Sequence, residues 1–138
     1  MIFAGAILII TFWAAISYVW IVSVMFRQAR NKAELAKSIT DGLMSSFGVG
    51  AETITLFFVP IAPGDYAHAG EMGSQATGQR ILLKVHAFRR SEAERRAAAA
   101  ALTRSVCNAY GVPGADVAAY FFDREKDEVS HDSKLASD

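Results

Sequence analysis

The sequence is poor in cysteine and proline, and residues 1–26 carry no charged side chain. The single cysteine, Cys107, excludes an internal disulfide framework and a zinc site built from several cysteines. Lys and Arg together number 14, as do Asp and Glu, so the formal net charge is zero and the basic excess typical of nucleic-acid binding is missing. The composition excludes disordered and collagen-like chains and leaves an apolar leader followed by a globular domain.

The leader, residues 1–26, is long enough to cross a bilayer, because about 20 apolar residues in a helix span a hydrocarbon core of about 30 Å. Aromatic residues gather in its second half, as they do at membrane interfaces. Basic residues follow it: Arg27, Arg30, Lys32 and Lys37. The positive-inside rule then predicts a single-pass membrane helix over residues 2–19 with the C-terminal domain in the cytoplasm.

Two other interpretations of the leader stay open. Val22, Val24 and Phe26 alternate with Ser23 and Met25. This alternation favours a β-strand over Trp20–Phe26. A wrongly assigned start of translation also explains the leader, and the protein is then cytoplasmic. A cleaved secretory signal is disfavoured, because no Lys or Arg precedes the apolar run.

The chain after the leader contains an internal repeat. An offset of 63 residues aligns Phe47-Gly48-Val49 with Tyr110-Gly111-Val112 without a gap, and it aligns Phe57 with Tyr120. Two copies are too few for a solenoid. The offset therefore indicates a duplicated unit with pseudo-twofold symmetry.

Each copy is predicted to run strand, helix, strand. In the first copy a strand over Trp20–Phe26 precedes a helix that begins at Asn31 and ends at Gly48, and Ile54–Val59 forms the next strand. Apolar residues recur every four positions along that helix and form one face: Leu35, Ile39, Leu43 and Phe47.

The second copy repeats this order. Ile81–Phe88 is its first strand, and Ser91 with Glu94 forms a capping box at the start of a longer helix. Gly111 ends that helix, and Val117–Phe122 is the last strand.

The predicted fold class is α/β (α+β), with a four-stranded sheet and two helices on one face. Strands joined by a helix are parallel and have a right-handed crossover. We place the leader at 1–19, the domain at 20–131 with repeats 20–70 and 80–131, and a polar tail at 132–138. The Gly/Ser/Thr-rich stretch Gly70–Gly78 links the two repeats.

The second face of the sheet is predicted to be covered by other copies of the chain. Leu56, Phe58, Tyr120 and Phe122 are assigned to it, and an apolar face of that size is hard to solvate. The sequence therefore predicts an oligomer.

Five segments follow one another in a characteristic order and spacing: Ile21–Phe26, Arg30–Asp41, Phe47–Val49, Phe57–Val59 and Pro63–Gly70. They resemble the tautomerase superfamily, which includes 4-oxalocrotonate tautomerase and cis-3-chloroacrylic acid dehalogenase. The resemblance covers about residues 20–131, and the fused two-unit chain is most similar to the dehalogenase branch. It implies a homotrimer that acts on small α-keto or unsaturated carboxylates.

The resemblance also implies catalysis by an amino-terminal proline, whose secondary amine is a free base. Counting back from Arg30 places this proline at position 20, where the chain has Trp20. The nitrogen of Trp20 is an amide and takes up no proton near neutral pH, and the prolines, Pro60, Pro63 and Pro113, all lie farther along. We therefore assign no catalytic residue and expect activity that is weak or lost.

The substrate-binding residues implied by the resemblance are better preserved. Arg30 and Arg90 each precede a helix and match arginines that bind the substrate carboxylate, with Arg89 as a substitute for Arg90. Tyr120 matches a tyrosine that orients water or substrate, and Tyr66 matches an aromatic residue that walls the pocket. Solvated arginines and packed aromatic rings are the structural alternatives for all five.

Other expected groups are missing. Leu43 stands where the dehalogenase branch has a histidine, and His131 stands where it has a glutamate. His68, His86 and His131 are dispersed without the spacing of a metal motif, so we predict neither a metal nor a cofactor. Two hypotheses follow: a weak tautomerase or hydratase, or a non-catalytic module of this kind that is anchored to a membrane.

Overall fold

A computed structural model describes residues 17–24, 29–76 and 80–138 of the chain. Over these residues it forms two α-helices and eight β-strands. In chain order they are β1 (Ser17–Val24), α1 (Lys32–Phe47), β2 (Ile54–Ile61), β3 (Ala67–His68), β4 (Glu71–Met72), β5 (Ile81–Phe88), α2 (Glu92–Tyr110), β6 (Val117–Arg124), β7 (Ser130–His131) and β8 (Lys134–Leu135).

The four long strands form one sheet in the order β2-β1-β5-β6. β1 and β2 are parallel, β5 and β6 are parallel, and the two pairs meet through the antiparallel contact of β1 with β5. Each parallel pair is joined by one helix. The predicted duplicated β-α-β architecture is therefore confirmed.

The strand limits differ from the prediction at three places. β1 begins at Ser17 and ends at Val24, so residues 17–19 lie in the sheet and not in a membrane helix. β2 continues through Pro60 to Ile61, which an edge strand tolerates because one side of its backbone needs no ladder hydrogen bond. β6 extends to Arg124.

Residues 1–16 of the leader lie outside the described residues. Among those that are described, no helix has the length and apolar character needed to cross a membrane.

Local signals fix both helices as predicted. The Asn31 side chain accepts a hydrogen bond from the backbone N–H of Glu34 at the start of α1, and Ser91 and Glu94 form a reciprocal capping box at the start of α2. Each helix ends at a glycine in the left-handed conformation, Gly48 with φ of 65° and Gly111 with φ of 67°.

The core lies between the two helices and one face of the sheet. It contains the predicted apolar face of α1, the alternate residues Ile81, Leu83, Val85 and Ala87 of β5, and Val19 of β1. Ala98, Leu102 and Val106 of α2 complete it. Both helices thus cover the same face, as predicted.

The open face of the sheet carries a different set of side chains from the predicted one. Leu56 and Phe58 pack against the core, because side chains alternate between faces along β2. Phe57 projects on the open side and is 45% exposed, together with Tyr120 at 57% and Phe122 at 38%. The predicted apolar face exists, but the assignment of Leu56 and Phe58 to it is wrong.

The predicted linker and tail are largely folded. β3 pairs with β4, and β7 pairs with β8 at the same place in the second copy, which is an offset of 63 residues. Within residues 132–138, the backbone N–H of Leu135 donates to the Asp138 side chain and that of Asp138 donates to the Leu135 carbonyl. Each repeat therefore ends in a small hairpin.

Candidate functional site

Each arginine that precedes a helix lies beside the end of the other helix. The backbone N–H of Arg30 donates to the Ala109 carbonyl in the last turn of α2, at 3.0 Å. The Arg90 guanidinium lies over the ring of Phe47 at the end of α1, 5.0 Å from the ring centroid. The 16 residues of α1 separate these two places by roughly 24 Å at 1.5 Å per residue. One small molecule therefore cannot contact both Arg30 and Arg90 of the same chain.

Arg90 has the properties of an anion-binding side chain. Its Nε and Nη2 atoms are buried and have no hydrogen-bond partner among the described residues. The residue as a whole is only half-buried, so part of the side chain is within reach of solvent. Unpaired buried donors are unfavourable, and a carboxylate that accepts from both nitrogens removes that penalty.

Ser91 and Glu94 hold the backbone next to Arg90 in place. The Glu94 carboxylate accepts from the backbone N–H of Ser91 at 2.8 Å, and the Ser91 hydroxyl accepts from that of Glu94 at 3.1 Å. The backbone hydrogen bond of Ser91, then its side chain, and then the charge of Arg90 lower the pKa of Glu94. Glu94 is thus an ionised cap and a poor proton donor near neutral pH.

Arg89 lies on the surface next to Arg90 and faces an acid. Its Nη1 is 3.9 Å from Oδ2 of Asp123, and Nη1 of Arg95 is 3.8 Å from the same oxygen. Because Arg89 already has a carboxylate partner, Arg90 is the better candidate for binding a ligand at this edge.

The strand register places Trp20 differently from the count based on Arg30. Trp20 is the fourth residue of β1, and its backbone pairs with Phe57 on one side and Lys84 on the other. By strand register, the residue of the second copy that corresponds to Trp20 is Lys84, the fourth residue of β5. The residue that directly precedes β5 is Arg80. By register, the position that corresponds to Arg80 is Ile16, which lies outside the described residues.

The count and the register disagree because the two copies differ in length before the helix. Asn31 lies four residues farther from the start of its strand than Ser91 does. The register makes Trp20 the fourth residue of β1, and its assignment to the proline position stays a prediction. Neither Ile16 nor Trp20 is a proline, so the expectation of a missing amino-terminal proline does not depend on which of the two is chosen.

The two predicted tyrosines lie away from Arg90. The Tyr66 hydroxyl accepts from the backbone N–H of Arg80 at 2.8 Å, and Nη1 of Arg80 donates to the Ala115 carbonyl at 3.3 Å. Tyr66 therefore lies at the start of β5. This is the end of the sheet at which β1 finishes and Arg30 follows. Tyr120 lies in mid-strand on the open face. The five predicted binding residues do not form one site within a chain.

Leu43 and His131 stand where the dehalogenase branch has a histidine and a glutamate. Leu43 is fully buried in the core, and His131 is exposed in β7. In the described parts of the chain, no three His, Cys, Asp or Glu side chains come together as metal ligands would.

The sequence prediction missed a polar cleft of about 270 Å³ between the first half of α1 and the last half of α2. Its polar lining residues are Arg30, Asn31, Glu34, Ser38, Ser105 and Asn108. The hydroxyl oxygens of Ser38 and Ser105 are hydrogen-bonded at 2.6 Å across the two helices. The sequence did contain a signal for this cleft. The offset of 63 residues pairs Ser38 with Ala101 and Ser105 with Gly42, so two hydroxyls stand where the other copy has small apolar residues.

Phe47 was also missed as a functional residue. It was predicted only as part of the apolar face of α1, and its contact with Arg90 joins residues from different repeats. No spacing in the sequence reveals such a contact.

Comparison with known proteins identifies the fold through structure alone. No protein-family model matches the chain, and no curated protein does. The structure of Pt0534 inactivated by 2-oxo-3-pentynoate is similar to this one, with a TM-score of 0.77 and 22% sequence identity. The similarity covers 87% of this chain and 96% of the Pt0534 chain. A symmetric trimer of fused 4-OT gives a TM-score of 0.76 and 21% identity over the same shares. Malonate semialdehyde decarboxylase gives 0.69 and 18%, covering 87% of this chain and 94% of its own.

Proposed function

We propose that this protein, which has the fold of the tautomerase superfamily, binds small α-keto or unsaturated carboxylates through Arg90 and transfers protons weakly or not at all. The observation that carries the proposal is that Nε and Nη2 of Arg90, beside the ring of Phe47, have no hydrogen-bond partner in the described parts of the chain. A planar carboxylate accepts two parallel hydrogen bonds from a guanidinium, which orients the bound molecule. The buried ring of Phe47 packs against the guanidinium and holds it in position.

The low expected activity follows from the residues at the start of β1. A general base needs a pKa near the working pH, and a free α-amino group provides one at about 7.7–8.0. An amide nitrogen at Ile16 or Trp20 does not. Glu94 is engaged as a helix cap, and His86 lies in the middle of the sheet, four residues from Arg90 in sequence but on the open face.

A trimer is part of this proposal. The exposed rings of Phe57, Tyr120 and Phe122 give each chain an apolar face that other copies can cover. The similar structures of fused 4-OT are described as symmetric and asymmetric trimers.

Calorimetric titration of the full chain with 2-oxobutanoate tests the binding. We expect saturable binding that Arg90→Ala weakens by about 1.5–3 kcal/mol, the usual contribution of a hydrogen bond to a charged group. Arg96→Ala is the matched control, because Arg96 is an exposed arginine of α2 paired with Glu92. Equal affinity in the parent and in Arg90→Ala contradicts the proposal.

The enzymatic hypothesis has its own readout. Ketonisation of phenylenolpyruvate is followed by absorbance, and we expect a rate close to that of buffer. A faster rate that Arg90→Ala abolishes supports the enzyme and rejects the loss of activity, while leaving the binding role of Arg90 intact.

Membrane attachment is a separate proposal, supported by the absence of charged side chains from residues 1–16. It predicts that the full chain stays with the membrane fraction after carbonate washing, and that a chain lacking residues 1–16 does not. Recovery of both in the soluble fraction contradicts it and favours a cytoplasmic protein.

A further inference from the structure

The cleft lies where the first half of α1 meets the last half of α2. One helical turn away on each helix, the pseudo-symmetric residues are Gly42 and Ala101, and a β-carbon on Gly42 would lie 3.0 Å from Cβ of Ala101. The helices are thus in close contact there. At the cleft, Ser38 and Ser105 replace this small pair, and their hydroxyls bridge the helices.

Glu34, the acidic residue of the cleft, has no polar counterpart in the duplicate. The offset of 63 residues pairs Glu34 with Ala97 and Leu35 with Ala98. In addition, α2 begins with an extra helical turn relative to α1, while α1 starts later and leaves Arg30 and Asn31 outside its helix. The charge of Glu34 therefore has no equivalent in the second copy.

The charges in the cleft are opposite and unpaired. Arg30 lines one side and Glu34 follows it by four residues, yet neither takes part in an ion pair within the described part of the chain. On the outer face of the same helix, Lys37 and Asp41 have the same spacing and do pair, at 2.5 Å. Two hydroxyls and the Asn108 amide lie between and beside the charges, with hydrogen-bonding capacity beyond the Ser38–Ser105 bond.

We propose that this cleft binds a small zwitterion of the α-amino acid class. The carboxylate of the ligand accepts from Arg30, its ammonium group donates to Glu34, and a polar side chain meets the hydroxyls of Ser38 and Ser105. A volume of about 270 Å³ is slightly below the range of about 300–1,000 Å³ typical of drug-sized ligands, so it suits a molecule of this size. The site is separate from Arg90, and the inference does not depend on the proposed function.

Isothermal titration of the full chain with L-glutamine tests the inference, with two matched compounds beside it. One is 5-amino-5-oxopentanoate, which lacks the ammonium group, and the other is 4-aminobutanamide, which lacks the carboxylate. We expect L-glutamine to bind at least about tenfold more tightly than either, because each control leaves one charge of the cleft without a partner. Equal binding of all three compounds, or no binding of L-glutamine, overturns the inference.

Two variants and a mapping experiment locate the binding. Glu34→Gln removes an exposed carboxylate and leaves the hydrogen bond from its backbone N–H to Asn31 in place. Ser38→Ala combined with Ser105→Gly reproduces the Ala101 and Gly42 pair of the pseudo-symmetric position. We expect each to weaken L-glutamine binding by about tenfold or more, whereas Arg90→Ala leaves it unchanged. Hydrogen exchange should show protection at residues 30–38 and 105–109. Protection confined to residues 47 and 90–94, or loss of binding in Arg90→Ala alone, rejects the cleft while leaving the proposed carboxylate site in place.

Discussion

The Nη2 atom of Arg30 lies 3.2 Å from the place that a β-carbon would take on Gly111, the residue that ends α2. The counterpart at the other end of the helix pair is Gly48, where no other atom of the described structure comes within 4 Å of that place. Two glycines with nearly the same φ thus differ in their surroundings. Substituting each glycine by alanine therefore distinguishes backbone strain, which both positions share, from a clash with the Arg30 side chain, which occurs only at Gly111.

Gly111→Ala and Gly48→Ala should each lower the free energy of unfolding by about 1–2 kcal/mol, because a residue with a β-carbon is strained in the left-handed conformation. Urea denaturation at a fixed protein concentration measures this. Only Gly111→Ala should also displace Arg30, so it alone should weaken L-glutamine binding to the cleft. Equal effects of both variants on binding would contradict the contact with Arg30.

Leu102→Ala should lower the free energy of unfolding by about 2–5 kcal/mol, because Leu102 is fully buried where α2 meets the sheet and its removal leaves a cavity. Leu135→Ala, at an exposed leucine of β8, is the matched control and should change stability little. Urea denaturation of the two variants distinguishes them. Similar losses would mean that the core is not centred on α2.

Stability should fall as the pH drops below 6.5 because of His86. Its ring stacks on Phe122 with centroids 4.6 Å apart, and Nδ1 lies 3.3 Å from Nη2 of Arg124. Burial, then the charge of Arg124, then that of Lys84 lower the pKa of His86 from its usual 6.5. The unfolded chain therefore binds this proton more readily, so the stabilisation is complete above pH 6.5 and is lost progressively below it.

Urea midpoints between pH 5 and pH 8 measure this dependence. We expect His86→Gln to reduce the fall at low pH, and Arg124→Gln to reduce it in part, since burial is the larger cause. An unchanged pH profile in His86→Gln would show that other groups control it.

Phe57→Glu should dissociate the proposed trimer, because a charge on the open face makes its burial against other copies unfavourable. Ala100→Glu introduces the same charge at an exposed position of α2 and should leave assembly unchanged. Multi-angle light scattering gives the mass of each. A monomeric parent would reject the trimer, and a Phe57→Glu variant of parental mass would place the interface elsewhere.

Deletion of residues 1–26 should cause aggregation, because it removes β1 from between β2 and β5 and exposes the edges of both strands. Deletion of residues 1–16 keeps β1 whole and should give a monodisperse protein. Light scattering compares the two. A monodisperse product of the longer deletion would show that β1 is dispensable for the sheet.

The sequence by itself determined the two helices, the four long strands and their order. The offset of 63 residues, the recurrence of Leu35, Ile39 and Leu43, and the capping box at Ser91 are local patterns, and each acts through neighbouring backbone groups or a single helix face. The limits of β5 were predicted to the residue. Such features are readable because their causes lie within a few residues of one another.

Only the tertiary structure decided the register of β1 and the make-up of the site. Strand ends are set by pairing with β2 and β5, so the register of β1 and a count back from Arg30 disagree over Trp20, because the two copies differ by four residues before the helix. Side chains alternate between the faces of a strand, and the packing of β2 puts Leu56 and Phe58 on the core side and Phe57 on the open side. The contact of Arg90 with Phe47 and the cleft at Ser38 and Ser105 join residues of different repeats. Their proximity depends on how the two helices pack, and no local pattern in the sequence encodes that distance.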